Sequence, residues 1–196
     1  MRAIQISNWP MILKNIPNAL TIMRLLFIAP FIVFLYNKEY AQAFYIFILA
    51  GFTDGLDGYL ARSFNCQSSF GTFIDPVADK LLITASFIGL ALIGKLPWWL
   101  VILVFLRDLT ISVGVIAWFA FIVKKPDLKP IFISKINTVV QLLLVTLSLF
   151  ELAFSVSEMA LDNTLIYLAA ITTFISFCDY VWTWGKKAYL CLQQEK

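Results

Sequence analysis

Four aspartates carry most of the chemistry in this sequence. Asp54 and Asp57 stand three residues apart and Asp75 and Asp79 four apart, in a 196-residue chain with 14% charged residues and no histidine. On helices these spacings put each pair on one face, and a polar connection over 63–72 makes the two helices antiparallel neighbours. The four carboxylates can then converge at one end of a bundle. An all-oxygen donor set suits hard divalent cations, Mg²⁺, Mn²⁺ or Ca²⁺. Two such ions bridged by carboxylates would clamp a diphosphate and stabilise phosphoryl charge. Without histidine, zinc sites and Ser-His or Cys-His catalysis of the usual kind are excluded, which leaves carboxylates, Lys, Arg, Tyr and hydroxyls. Cys66, Cys178 and Cys191 are odd in number and lack metal-ligand spacing, so they read as packing residues.

The cluster is expensive in an apolar setting. Each intramembrane Asp costs about 2.5–3.5 kcal/mol, so four approach ~10 kcal/mol before repulsion is added. Lys80, Arg62 and Arg107 can offset part of that charge, and bound cations more of it. Gly58 lies one turn beyond Asp54 and Gly71 one turn before Asp75, baring the helix beside a carboxylate so that a ligand or backbone can approach. Gly55 reads as plain helix packing. Pro76 removes a helical N–H and predicts a kink in its helix. The bland alternative is a pore or ion-pair lining in a small ion-coupled transporter.

The elements that must position these residues are membrane helices. With 61% apolar residues, against roughly 45–50% in soluble domains, the chain has too little polar surface to cover itself in water. That excludes a soluble enzyme, a disordered protein and a nucleic-acid binder. Six spans fit, near Leu20–Tyr36, Ala41–Leu60, Phe73–Ile93, Trp98–Val123, Phe132–Phe154 and Leu165–Trp184. The expected fold is an all-α integral membrane protein, one domain over residues 1–196, with six transmembrane helices. Trp9, Met11, Ile12, Leu13 and Ile16 around Lys14 predict a short N-terminal interfacial helix. Arg2, Lys14, Arg62, Lys124, Lys125, Lys129, Lys135, Lys186, Lys187 and Lys196 all fall on one side of such a bundle, whereas Lys38 and Lys95 fall on the other. By the positive-inside rule both termini and the aspartates face the cytoplasm. The N-terminus shows neither a signal-peptide cleavage pattern nor a transit-peptide composition, so the expected location is a bacterial inner membrane. Trp98 and Trp99, beside Pro97, read as interfacial anchors.

From Asp54 to Asp79 the chain reads Asp-x-x-Asp-Gly-x-x-Ala-Arg, eight residues, then Gly-x-x-x-Asp-x-x-x-Asp. This long pattern resembles the signature of the CDP-alcohol phosphatidyltransferases, membrane enzymes that join a CDP-linked lipid to an alcohol and release CMP. The resemblance extends to Asn15-Ile16-Pro17-Asn18-Ala19-Leu20-Thr21, Arg24, Pro30 and Asp179-Tyr180. It implies a six-helix fold, usually a homodimer in the bilayer, and two divalent cations, Mg²⁺ or Mn²⁺, at Asp54, Asp57 and Asp75, with Asp79 in the same carboxylate set. It implies CDP-diacylglycerol as donor, with Gly58, Ala61, Arg62 and Gly71 lining its nucleotide site and Arg62 near the phosphates. The residues alone leave the general base open between Asp75 and Asp79; the resemblance assigns it to Asp79. An alcohol is a poor nucleophile and needs such a base within reach.

Two branches of that family compete for the acceptor. One makes cardiolipin from phosphatidylglycerol, the other phosphatidylglycerophosphate from glycerol 3-phosphate. The segment from Leu128 to Gln141 resembles the cardiolipin-forming branch: it has Lys135-x-Asn137-Thr138 where the other branch usually has Lys-x-Lys-Thr, and Arg107-Asp108 stands for the usual Arg-Glu. A phosphomonoester carries nearly two negative charges and would use the second lysine; a diester carries one, and Asn137 could hydrogen-bond to it. Phosphatidylglycerol is therefore the first expectation and glycerol 3-phosphate the alternative. Arg107, Lys135 and Asn137 are the acceptor-site candidates, with Asp179 available to orient a basic residue. Against these stand snorkelling for Arg107 and Lys135, and a simple interhelical hydrogen bond for Asn137.

Overall fold

The computed structural model describes residues 11–64, 69–121, 132–156 and 161–194, and the side chains within 22–53, 80–114, 133–156 and 163–183. The described residues form six helices and short turns: α1 (Met11–Tyr36), α2 (Tyr40–Phe64), α3 (Ser69–Leu92), α4 (Trp98–Phe121), α5 (Phe132–Phe154) and α6 (Leu161–Gln194). The all-helical expectation holds, and α5 has the bounds expected for it. The opening stretch differs: from Met11 onward it is the start of α1, running on through Pro17 without a break. Pro76 likewise leaves α3 continuous. At about 1.5 Å per residue, the shortest helix, α5 with 23 residues, reaches beyond the roughly 30 Å hydrocarbon core of a bilayer. Among the described residues, Ile133–Phe154 and Asn163–Thr183 are both long and apolar enough to cross a membrane, and α1, α2 and α3 contain shorter apolar stretches.

The described side chains leave a largely apolar exterior and place several polar groups in the interior beside an apolar core. Leu26, Phe52, Leu92, Ile102, Val139 and Ile171 are each more than half exposed, whereas Arg24, Ser86, Arg107, Asn137, Gln141, Ser148, Glu151, Thr173 and Ser176 are buried. In water such an apolar exterior would aggregate. In lipid, apolar groups face the tails and polar groups find partners between helices. Trp98 and Trp99 open α4 half exposed, as interfacial anchors would be.

The chain divides into two compact units, Met1–Ser86 and Phe87–Lys196. In the first, α1 packs on α2: Phe31 and Leu35 are buried in α1, Ala43, Phe47 and Ala50 in α2, and the Phe31 and Phe47 rings lie 6.1 Å apart in a tilted pair. In the second, α6 packs against both α4 and α5. Its core includes Leu100 and Val104 from α4, Leu144, Val145 and Leu149 from α5, and Ala169 from α6.

Helix ends are closed by left-handed residues. After α1, Lys38 (φ 63°) donates to the Leu35 carbonyl at 3.2 Å and Glu39 to that of Phe34 at 2.9 Å. After α3, Gly94 (φ 80°) donates to Ala91 at 3.0 Å and Lys95 to Leu90 at 2.9 Å. These paired bonds form the Schellman cap, which satisfies otherwise orphaned carbonyls. Ser155 takes φ 51° at the end of α5, where Val156 donates to Glu151 at 3.2 Å. Beyond the α3 cap, the Lys95 ammonium meets the Glu151 carboxylate at 2.8 Å, with side-chain exposures of 14% and 4%. This ion pair fastens the α3–α4 turn to the end of α5.

Candidate functional site

The motif falls on two helices. Asp54 and Asp57 lie in α2 with Gly58, Ala61 and Arg62 in its last turns, and Gly71, Asp75 and Asp79 lie in α3. Helical backbone runs through all of these positions, so the one-turn register within each Asp pair follows from the backbone itself. The side chains of these residues lie outside the described set. Just ahead of Asp54, Thr53 turns its hydroxyl back onto its own helix, to the Leu49 carbonyl at 3.0 Å and the Ala50 carbonyl at 2.8 Å. Such back-bonding keeps a polar side chain satisfied without a partner helix and tends to bend its helix.

The acceptor-side candidates belong to the second unit, and their side chains are resolved in detail. Arg107, from the middle of α4, is 4% exposed. Its Nη1 donates to Asp108 Oδ1 at 2.6 Å, its Nε to Ser176 Oγ at 3.3 Å, and its Nη2 both to Ser176 Oγ at 2.9 Å and to Ser134 Oγ. One guanidinium thereby joins α4, α5 and α6, with the neighbouring carboxylate balancing its charge. A buried charge is tolerable only when paired and hydrogen-bonded in this way.

One turn further along α5, Asn137 is fully buried. Its Oδ1 accepts from Thr173 Oγ1 at 2.8 Å and lies 3.0 Å from Thr172 Oγ1, whose hydroxyl also reaches the Leu168 carbonyl at 2.9 Å. Gln141 Nε2 donates to Thr173 Oγ1 at 3.2 Å, a further turn along. Asn137 Nδ2 is buried with no hydrogen-bond partner. Lys135, by contrast, is exposed in the first turn of α5. Asp179 is bonded within its own helix, by Thr183 at 3.5 Å, and the carboxylate that pairs with Arg107 is that of Asp108. Sequence reasoning had not singled out Ser134, Thr172, Thr173 or Ser176. A signal was there: Ser134, Asn137, Gln141, Ser148 and Glu151 recur at three- and four-residue multiples in an apolar helix, and Thr172, Thr173 and Ser176 form a matching stripe on α6.

The family model described as CDP-alcohol phosphatidyltransferase matches residues 14–175. The chain is 35% identical over 174 residues to the CDP-diacylglycerol–glycerol-3-phosphate 3-phosphatidyltransferase of Wigglesworthia glossinidia brevipalpis, covering 85% of this chain and 92% of that protein. It is 33% identical over 175 residues to the probable phosphatidylglycerophosphate synthase of Mycobacterium tuberculosis (strain CDC 1551 / Oshkosh), covering 86% and 81%. It is 34% identical over 189 residues to the cardiolipin synthase (CMP-forming) of Homo sapiens, covering 88% of this chain and 62% of the human protein.

Proposed function

The chain belongs to the CDP-alcohol phosphatidyltransferase family of membrane enzymes, and from that premise we propose that it joins CDP-diacylglycerol to phosphatidylglycerol, forming cardiolipin and CMP. Family membership sets aside the ion-coupled transporter. Relatives named for either acceptor stand at similar identity, so identity does not select the alcohol. The observation that carries the choice is Asn137, a neutral amide buried between α5 and α6 where a second lysine would bring the charge that a phosphomonoester rewards. The glycerol 3-phosphate reading stays as the alternative, favoured by the relative that this chain covers to 92%.

Family members generally depend on divalent cations, and the donor chemistry here fits them: four carboxylates at helical spacing on α2 and α3, in a chain without histidine. Asp54, Asp57, Asp75 and Asp79 would hold two Mg²⁺ or Mn²⁺ ions. When bound, these ions neutralise charge on the diphosphate and on departing CMP. Asp79 takes the proton from the acceptor hydroxyl as its oxygen bonds to the lipid-side phosphorus. The phosphoanhydride bond breaks, and CMP leaves with the electron pair. Gly58, Ala61 and Gly71 leave room for the nucleotide, and Arg62 meets its phosphates. Lys135, with its exposed ammonium, meets the acceptor phosphate, and Arg107 and Asn137 complete the acceptor side. The lysine and arginine placement supports both termini and these groups on the cytoplasmic face of a bacterial inner membrane, and we assign the working enzyme as a homodimer.

The deciding experiment gives the purified protein CDP-diacylglycerol with Mg²⁺ or Mn²⁺ and either acceptor, and identifies the lipid product by mass spectrometry. Cardiolipin with CMP is the expected product. Phosphatidylglycerophosphate from glycerol 3-phosphate, with no cardiolipin from phosphatidylglycerol, would reverse the choice of alcohol.

A further inference from the structure

Arg107 is held more completely than a phosphate-seeking arginine needs to be. A guanidinium has five N–H donors. Ser176 takes the Nε donor and one on Nη2, Ser134 the other on Nη2, and Asp108 one on Nη1. A single donor is left, on the nitrogen already paired with Asp108. A bidentate grip on phosphate requires two parallel N–H groups on one edge, and this guanidinium has no such edge open.

What the arrangement does is locate the start of α5. Ser134 is the third residue of that helix, and the exposed Lys135 follows it directly. We propose that Ser176 and Ser134 are positioning residues for acceptor recognition, acting through Arg107 to fix where the first turn of α5 holds the Lys135 ammonium. The proposal rests on the functional reading above, in which Lys135 meets the acceptor phosphate. One turn deeper, Asn137 with Thr172 and Thr173 fastens α5 to α6 independently, and Gln141 with Thr173 adds a third tie. Loss of one serine therefore loosens the first turn and leaves the seam closed, so the effect falls on acceptor affinity rather than on folding. A side chain placed about 1 Å from its productive position is enough for a measurable loss.

The test uses the whole protein in lipid vesicles with CDP-diacylglycerol, Mn²⁺ and either acceptor, reading CMP release. Ser176→Ala and Ser134→Ala are each expected to raise the acceptor KM about five- to tenfold, with kcat and the KM for CDP-diacylglycerol within about twofold. The double variant is expected to be no worse than about the worse single, because both serines act through one guanidinium. Unchanged acceptor KM in both single variants overturns the proposal. So does an equal fall in kcat/KM for both substrates joined to a lower Tm, which marks a merely structural role. Wild-type protein that releases no CMP with either acceptor overturns the functional reading and this proposal together, whereas active wild type with unmoved variants overturns this proposal alone.

Discussion

The two compact units put polar residues into an apolar chain for opposite reasons. In the first, four acids of one sign are spaced at one-turn intervals on α2 and α3, an arrangement that repels itself and costs insertion energy. In the second, most of the described buried polar groups are matched within the protein, Arg107 to Asp108, Ser134 and Ser176, Asn137 Oδ1 to Thr172 and Thr173, Lys95 to Glu151, with Asn137 Nδ2 and Ser148 Oγ as exceptions. Such matching is what helices in lipid use in place of a hydrophobic driving force. Acids repeated at one-turn spacing in apolar helices point to chemistry; polar groups that satisfy one another point to architecture. The two kinds of residue should therefore respond to mutation with opposite signs in activity and stability.

The sharpest way to break this contrast is Asp79→Asn. Removing a general base is worth about 10²–10⁴ in rate, so turnover is expected to fall by at least about a hundredfold. Removing one of four like charges should leave Tm unchanged or raise it, and metal affinity, read by calorimetry with Mn²⁺, should change only a fewfold. Near-normal turnover would move the base elsewhere. A lowered Tm would mean that the acids are structural after all, and the contrast between the units would disappear.

Lys95→Ala probes the other side. Breaking a buried ion pair by removing one partner costs about 3–5 kcal/mol; because Lys95 keeps 14% side-chain exposure, the lower end applies. Thermal unfolding in detergent should show the loss as a Tm lowered by several degrees, while kcat measured well below the new Tm stays within about twofold. A collapse of kcat without a change in Tm would place this pair in the reaction instead.

How much of this could be read in advance depended on whether the information lay in spacing or in partners. The helices were legible because apolar runs of span length leave little alternative, and the Asp54–Asp79 motif because its spacing is long and rigidly fixed. The end of α1 was less so. Its Lys38 cap uses a residue type that seldom takes positive φ, so composition gave no warning of it. An independent interfacial helix was expected ahead of α1, but nothing between Met11 and Tyr36 stops the helix, and Pro17 is tolerated within it. The least legible part was the seam of α4, α5 and α6. Arg107 and Asn137 drew notice as charged or polar residues in apolar helices, but their partners are serines and threonines, which are common and chemically quiet. Only tertiary contact distinguishes Ser176, which holds a guanidinium, from Ser86, which bonds its own helix at the Leu82 carbonyl at 2.8 Å.

Asn137→Lys tests whether architecture and acceptor choice meet at one residue. If charge at this position sets the acceptor, the variant should shift the ratio of kcat/KM values toward glycerol 3-phosphate by about tenfold, or ~1.4 kcal/mol. Because Asn137 is fully buried and accepts from Thr173, the ammonium has to displace part of the seam, and a modest loss of Tm should accompany the shift. Asn137→Leu serves as the comparison: it removes the amide without adding charge, so it should lower Tm and move the acceptor ratio less than the lysine does. An equal change of ratio in both variants would trace the preference to seam geometry and not to charge.

The smallest effect belongs to a position outside both arguments. Lys38 closes α1 in the left-handed region at φ 63°, a conformation that costs an L-residue with a Cβ about 1–2 kcal/mol and glycine very little. Its side chain is exposed. Lys38→Gly should therefore raise stability by about 0.5–1 kcal/mol after glycine's greater freedom in the unfolded chain is subtracted, visible as a Tm gain of a degree or two. Turnover and acceptor ratio should not move, since the cap bonds to the Leu35 and Phe34 carbonyls come from backbone that the substitution leaves in place. A loss of stability instead would show that the lysine side chain contributes more than its backbone strain removes.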